Sequence, residues 1–399
     1  MKTITPNTLS GKAVLTLAHV VGMVDMVALP VWIGALIQHY RYSPSQAGIT
    51  VTLFLLGVVL SSVFFAPRFN RVPRKVATAS GFAVGAVAFF FASQQAVASG
   101  SFQTLALLHA VAGLGVGCAL TFTHGSIGRS SNPHRLFAVV NVALGIFAVF
   151  FLGGMPQLIA RTSAAILFTV IASTMVLAAV VTALAFPAID DEKTAQVVDA
   201  SAVKQGISKA SWFVIGAVVC LTLNQSMVFA FVERIGADRG FGMERVNSVL
   251  IALGLVNLTP GLLAALLQKK WSPVAVGMAG PIGQATLALI MTSAAAFMPY
   301  AVSVSLYVFM VIFTHNFLFG LLSRLDPSGR AAAATPAMMM LGACIGPALG
   351  GVLVQSLGYQ GLGWAACVVS LIAVVAMLQV RRYLPSTSST SVTTAVVHA

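Results

Sequence analysis

Charge is what this sequence has least of. Only 8% of the 399 residues are Asp, Glu, Lys or Arg, where a soluble domain carries about 25%. Hydrophobic residues make up 58%, more than a water-facing surface of this length can hide. A soluble enzyme or binding domain is therefore excluded. Cysteine is also scarce. The four present, Cys118, Cys220, Cys344 and Cys367, all lie in apolar runs, and no Cys-x-x-Cys or Cys/His spacing suggests a metal site or a disulfide framework. No GxxxxGK[ST] phosphate loop is present, which argues against direct drive by ATP, and no HExxH pair is present. No cofactor or metal is expected. The first apolar run is long and lacks a small-residue exit, so it is expected to remain as a spanning helix rather than a cleaved signal.

Long apolar segments fill the chain, at roughly 13–38, 47–66, 76–97, 102–126, 136–159, 163–187, 211–233, 246–268, 273–296, 299–322, 332–356 and 360–381. A bilayer is crossed by a helix of about 20 residues, and strict two-residue alternation, the mark of barrel strands, is missing. The expected fold is all-α: a polytopic membrane protein with twelve transmembrane helices in two pseudo-symmetric six-helix bundles. The halves span 1–187 and 211–384. A polar linker at 188–210 joins them, and a Ser/Thr-rich tail at 385–399 is expected to be disordered. With the N-terminus in the cytoplasm of a plasma (inner) membrane, both ends lie inside. Only Arg41, Arg161, Arg234, Arg239 and Arg245 of the 22 Lys and Arg residues then face outward. That asymmetry follows the positive-inside rule, and it accounts for the net charge of +13 without nucleic acid. The expected partners are lipid, protons and a small molecule, with the protein a monomer.

The halves echo one another. Phe122-Thr123-His124 recurs as Phe313-Thr314-His315, and Asn132-Pro133 with Arg135 recurs as Asp326-Pro327 with Arg330. Gly154-Met155-Pro156 is followed in the second half by Gly346-Pro347. The basic turn Arg71-Val72-Pro73-Arg74-Lys75 has a loose counterpart in Lys269-Lys270-Trp271-Ser272-Pro273. Tandem halves of this kind place a substrate site between them, near the midplane.

Three motifs carry a family resemblance. Gly342-Ala-Cys-Ile-Gly346-Pro347-Ala-Leu-Gly350-Gly351 has the pattern GxxxGPxxGG, here on the eleventh segment. The loop after the second segment, Ala66-Pro-Arg-Phe-Asn70-Arg71-Val-Pro73-Arg74-Lys75, is similar to GxxxDRxGRK with Asn70 at the acidic position. His109-Ala-Val-Ala-Gly113 is similar to RxxxG. In these motifs the chain resembles the major facilitator superfamily, most closely its drug:proton antiporter branch. The resemblance implies a secondary transporter, with Asn70, Arg71, Arg74, Lys75, Gly342, Gly346, Pro347 and Gly350 in gating or hinge surfaces and His109 in proton coupling. It leans towards proton-coupled efflux, with proton-coupled uptake of a metabolite as the alternative.

Asp25 is the one acid near the centre of an apolar segment. It costs roughly 2.5–3.5 kcal/mol to place there, so a proton-coupling role is expected. His124, Asn141, Asn224, Gln225, His315 and Asn316 are the expected substrate contacts. His19 and Asn257 are weaker candidates, and Glu233, beside Arg234, reads as an interfacial charge. A membrane-embedded enzyme would need paired carboxylates or a metal cluster, and none is apparent.

Overall fold

The helix starts are written in the sequence. Ser43 closes a capping box: its hydroxyl accepts from the Gln46 amide at 3.2 Å, and Gln46 Oε1 accepts from the Ser43 amide at 3.0 Å, with Pro44 in the first turn. Asn132 caps the helix opened by Pro133 through the Arg135 amide at 3.0 Å, and Ser272 caps the one opened by Pro273 through Ala275. Thr8, Ser101 and Ser208 do the same elsewhere.

The computed structural model describes residues 4–97, 99–189, 208–326 and 335–383. In chain order the helices are α1 (Leu9–Gly22), α2 (Val24–Gln38), α3 (Pro44–Phe65), α4 (Arg74–Ser93), α5 (Phe102–Gly128), α6 (Pro133–Arg161), α7 (Ala165–Ala185), α8 (Lys209–Phe229), α9 (Val232–Asp238), α10 (Met243–Val256), α11 (Pro260–Leu267), α12 (Pro273–Ser293), α13 (Phe297–Leu325) and α14 (Thr335–Tyr383). One 3₁₀ turn, Ala66–Arg68, follows α3. Among the described residues no strand occurs, and eleven helical segments are long and apolar enough to cross a bilayer. The protein is a multi-pass, all-helical membrane protein. Most of the 188–210 linker, Pro327 and Arg330 of the second repeat motif, and the 385–399 tail lie outside the described residues.

Three expected single helices are interrupted. The first breaks at Met23 (φ −100°, ψ 23°), just after Gly22 ends α1 and just before Asp25 enters the first turn of α2. Glycine favours termination and an acid favours a helix start, so the local preferences agree with the break. The seventh segment breaks at Ala230–Phe231, between α8 and α9. The eighth breaks at Asn257–Thr259 because Pro260 lacks an amide donor and pushes the residue before it away from helix. The final stretch departs from expectation in the opposite sense. In place of a loop between 356 and 360, two helices meet at Gly358, whose φ of 69° is left-handed. The 49 residues of α14 would make a straight rod of about 74 Å, more than twice the ~30 Å of a bilayer core.

Glycine sets how close the helices come. Apolar surface gains little by leaving lipid, so close backbone contact holds membrane helices together. A side chain at Gly113 would run into the backbone of Phe54, and one at Gly117 into Val58, both on α3. On α14, Gly342 and Gly346 lie against α8 at Thr222–Leu223 and Ser226–Met227, Gly350 lies against Met227 of α8 and Phe231 of the break after it, and Gly351 meets the backbone of Pro44 on α3. The GxxxGPxxGG run therefore serves two seams at once.

Thr52 stitches the second of these seams. Its hydroxyl donates to Cys344 O at 2.9 Å and accepts from the Ala348 amide at 3.0 Å. The side chain of one helix is thereby inserted into the hydrogen-bond ladder of another, one residue past Pro347. Thr52→Val keeps the shape and removes both bonds. Leaving the partly buried amide and carbonyl without that bridge costs about 1 kcal/mol, and thermal unfolding of the purified protein should show a lower midpoint.

Candidate functional site

Asp25 stands second after the Met23 break and is 3% exposed. Its carboxylate interacts with the amides of Asp25 itself and Met26. Among the described residues Oδ1 has no hydrogen-bond partner. Buried polar atoms are almost always paired, and a buried carboxyl oxygen with an open position can receive a proton or a ligand donor.

His19, near the end of α1, faces His124 on α5, with Nδ1 and Nε2 3.0 Å apart. One of these nitrogens carries the hydrogen and the other accepts it, so the pair holds a single proton between two helices. Among the described residues His19 Nε2 has no further partner. The two residues are separated by 105 positions, and no local pattern in the sequence links them.

His109 is placed differently. Tryptophan Nε1 can only donate. The 3.0 Å contact from Trp32 therefore makes His109 Nε2 an acceptor, and the hydrogen must sit on Nδ1, directed at Leu105 O at 2.7 Å. Phe89 and Phe168 pack edge-on against the ring. Both nitrogens are engaged, and protonating Nε2 requires breaking the Trp32 bond. This residue fixes Trp32, and with it the inner face of α2.

In the second half of the chain, Asn224 on α8 donates to Ala366 O at 3.0 Å and to Ser370 Oγ at 2.9 Å. The Tyr307 hydroxyl donates to Asn224 O at 2.7 Å, and Gln284 bonds Leu221 O and the same tyrosine. This buried network joins α8, α12, α13 and α14. Gln284 and Tyr307 were not singled out by the sequence, because a single polar residue in an apolar run does not show its partners. Gln225 is buried next to the network. His315 is buried, stacks on Phe319 with centroids 5.4 Å apart, and interacts with the Val218 backbone on α8. Asn141 and Asn316 lie on exposed helix faces and donate to carbonyls of their own helices, Phe137 O and Ile312 O. Asn257 caps α10 at the break, with Oδ1 unpartnered among the described residues.

The basic loop after α3 is organised around Asn70. Its Oδ1 accepts from Arg129 at 2.7 Å and from Arg74 at 3.3 Å, and both guanidinium groups lie over the Phe69 ring. Lys75 reaches Leu184 O at 3.2 Å. Arg71 is an exposed member of the same turn. An amide oxygen thus gathers the arginines where the motif would place a carboxylate.

At the other end of the molecule a cavity of about 590 Å³ opens between α2, α6, α9 and α10. Glu233 lines it and is 7% exposed. The neighbouring Arg234 is paired with Asp238 at 2.6 Å rather than with Glu233. The expectation of a simple interfacial charge therefore gives way to a buried carboxyl in a cleft. One sequence signal was available: Val24-Asp25 recurs as Val232-Glu233, each acid two residues past a helix break.

The comparisons agree with this architecture. The model of the Major Facilitator Superfamily matches residues 14–335. A crystal structure of a D-xylose–proton symporter aligns over 94% of this chain and 98% of its own, with TM-score 0.72 and 16% identity. A partially occluded inward-open structure of the xylose transporter XylE from E. coli aligns over 96% and 99%, with TM-score 0.70 and 15% identity. The inward-open structure of the same protein gives 95% and 97%, with TM-score 0.71 and 14% identity. Comparison with curated proteins gives no match. With a family model covering most of the chain, and a fold shared with the aligned structures along nearly its full length, this protein belongs to the Major Facilitator Superfamily and is a transporter, not an enzyme.

Proposed function

We propose that the protein is a proton-coupled secondary transporter that exports a small organic molecule by alternating access. The observation that carries the reading is Asp25: a carboxyl buried at a helix interruption inside an apolar span, with one oxygen open. Such residues in membrane helices mark ion pathways, and discontinuous helices near the midplane are a recurrent setting for coupling sites. One proton crossing the field supplies about 2.3 kcal/mol per 100 mV.

In this reading the chain makes twelve passages in two six-helix halves, α14 supplying the last two on either side of Gly358. Both ends face the cytoplasm of the plasma (inner) membrane, and the protein acts as a monomer. The internal repeat supports the two halves. His124 packs on α1, the first helix of its half, and His315 interacts with α8, the first helix of the other. Asp25 carries the coupling proton, and the His19–His124 pair offers a second proton position. Asn224, Gln225 and His315 line the substrate route, with Asn141 and Asn316 as outer contacts. His109 enters the coupling through Trp32. The Asn70 turn and the α14 seam hold alternate states closed.

The intact GxxxGPxxGG run supports export. The likeness to a D-xylose–proton symporter supports a second reading, proton-linked uptake. Liposomes containing the full-length protein and a luminal pH dye separate the two. Amines, weak acids and sugars are added outside in turn, with protein-free liposomes as the control. Exchange moves a proton out for each solute that enters, so the lumen should turn alkaline for at least one compound. Acidification would replace export by uptake, and no protein-dependent pH change with any compound would sink proton coupling.

A further inference from the structure

The cavity at the α2–α9 contact has no role in the coupling chemistry assigned to Asp25, yet it contains a buried acid. The Glu233 carboxyl lies beside Gly34 on α2, where an added methyl group would lie 2.9 Å from Oε1. Among the described residues Oε2 has no hydrogen-bond partner. Every charged or titratable group facing the cavity can be named. Arg234 on the same helix is held by Asp238, and Asp238 also takes the Tyr359 hydroxyl at 2.5 Å. The Tyr300 hydroxyl on α13 is committed to Val232 O at 2.7 Å. His39, Arg161 and Glu244 lie at the cavity lining on α2, α6 and α10, the last two at exposed positions where their charges offset. Arg234 acts on Glu233 electrostatically but forms its ion pair with Asp238, and none of the other groups is a buried cation.

We propose that this cavity is a binding site for an organic monocation, with the Glu233 carboxylate as the acceptor for its ammonium group. Neutral donors and acceptors complete the lining: Gln38, Gln157, Asn247 and Ser248. A volume of about 590 Å³ falls within the 300–1,000 Å³ typical of small-molecule sites. An unpaired carboxylate at this depth carries a large desolvation cost. A bound ammonium removes that cost through a charge-assisted hydrogen bond. The exchange balances: the carboxyl gives up its proton to bulk solvent and the ammonium takes its place, so the charge in the cavity does not change. Glu233 also touches α2, the helix that begins at Asp25, so occupancy is felt on the element that carries the coupling acid. This inference rests on the transporter reading above and adds the class of its substrate.

The test uses the purified full-length protein in detergent. Titration calorimetry compares phenethylamine and benzylamine with their neutral isosteres 2-phenylethanol and benzyl alcohol. The measurements are made at two pH values and in two buffers of different ionisation enthalpy. At least one cation should bind tenfold or more tightly than its neutral counterpart, a gap of about 1.4 kcal/mol, and should release one proton. Glu233→Gln should erase both the preference and the proton release, while Gly216→Ala, which adds a methyl group in open space on α8, keeps both. Gly34→Ala, which crowds the carboxyl without changing charge, should weaken the same cation and guards against a misfolded Glu233→Gln. Equal affinity for cation and isostere, an unchanged preference in Glu233→Gln, or no binding across the series overturns the proposal. If luminal alkalinisation still depends on Asp25 in that case, the transporter reading survives without it.

Discussion

Asp25→Asn should abolish gradient-driven transport while leaving the protein folded. Asparagine has the size and shape of the acid and keeps a carbonyl for the Met26 amide. It cannot gain or lose a proton in the working range. The side chain is buried next to a helix break, where a neutral amide is cheaper than a carboxyl that must carry charge for part of the cycle. Thermal stability should therefore be unchanged or slightly higher. In proteoliposomes with an imposed pH gradient, accumulation should fall by at least about tenfold, the equivalent of 1.4 kcal/mol of lost drive. Exchange of labelled for unlabelled solute at equal pH should persist, because that step does not need proton release. Full gradient-driven accumulation by the variant would remove Asp25 from the coupling step.

The second large effect is expected at Gly346. A methyl group there would collide with the Ser226 hydroxyl and lie 2.6 Å from the Met227 amide nitrogen. Neither neighbour can retreat cheaply, because both belong to α8 near the Asn224 network. Overpacking of this kind costs about 1–3 kcal/mol. Gly346→Ala should lower the unfolding midpoint by several degrees and, by wedging α14 off α8, reduce transport to background. Gly216→Ala, on α8 but with nothing within 4 Å of the added atom, is the matched control and should behave as wild type. Equal behaviour of the two variants would mean that the α8–α14 seam has slack that the structure does not show.

The helices themselves were legible because lipid demands long apolar runs and because Ser, Thr, Asn and Pro mark their starts. Ser43, Asn132 and Ser272 each cap a helix whose first residue is proline. The break before Pro260 was also legible in principle, since proline states its effect locally. The breaks at Met23 and Ala230–Phe231 were harder to read: no proline is present at either, and the glycine and acid flanking Met23 are weak local signals. The candidate site divides along the same line. Asp25 stands out because a lone acid in an apolar run is costly wherever the run packs. The Trp32 bond that fixes the tautomer of His109, and the meeting of His19 with His124, are long-range contacts. The sequence names the residues but not the pairs. Glu233 fell between these cases. Read beside Arg234 it looked like surface charge, and only the fold shows that Arg234 turns to Asp238 instead.

The junction at Gly358 has a mechanical consequence. A flexible loop between two helices stores contour length, so one helix can shift before the next responds. A single left-handed glycine stores almost none. Any tilt of the first part of α14, the part seamed to α3 and α8, must reach the second part at once as a change of angle about one pivot. The two arms form a crank, and lengthening the pivot by even a few flexible residues would introduce play between them.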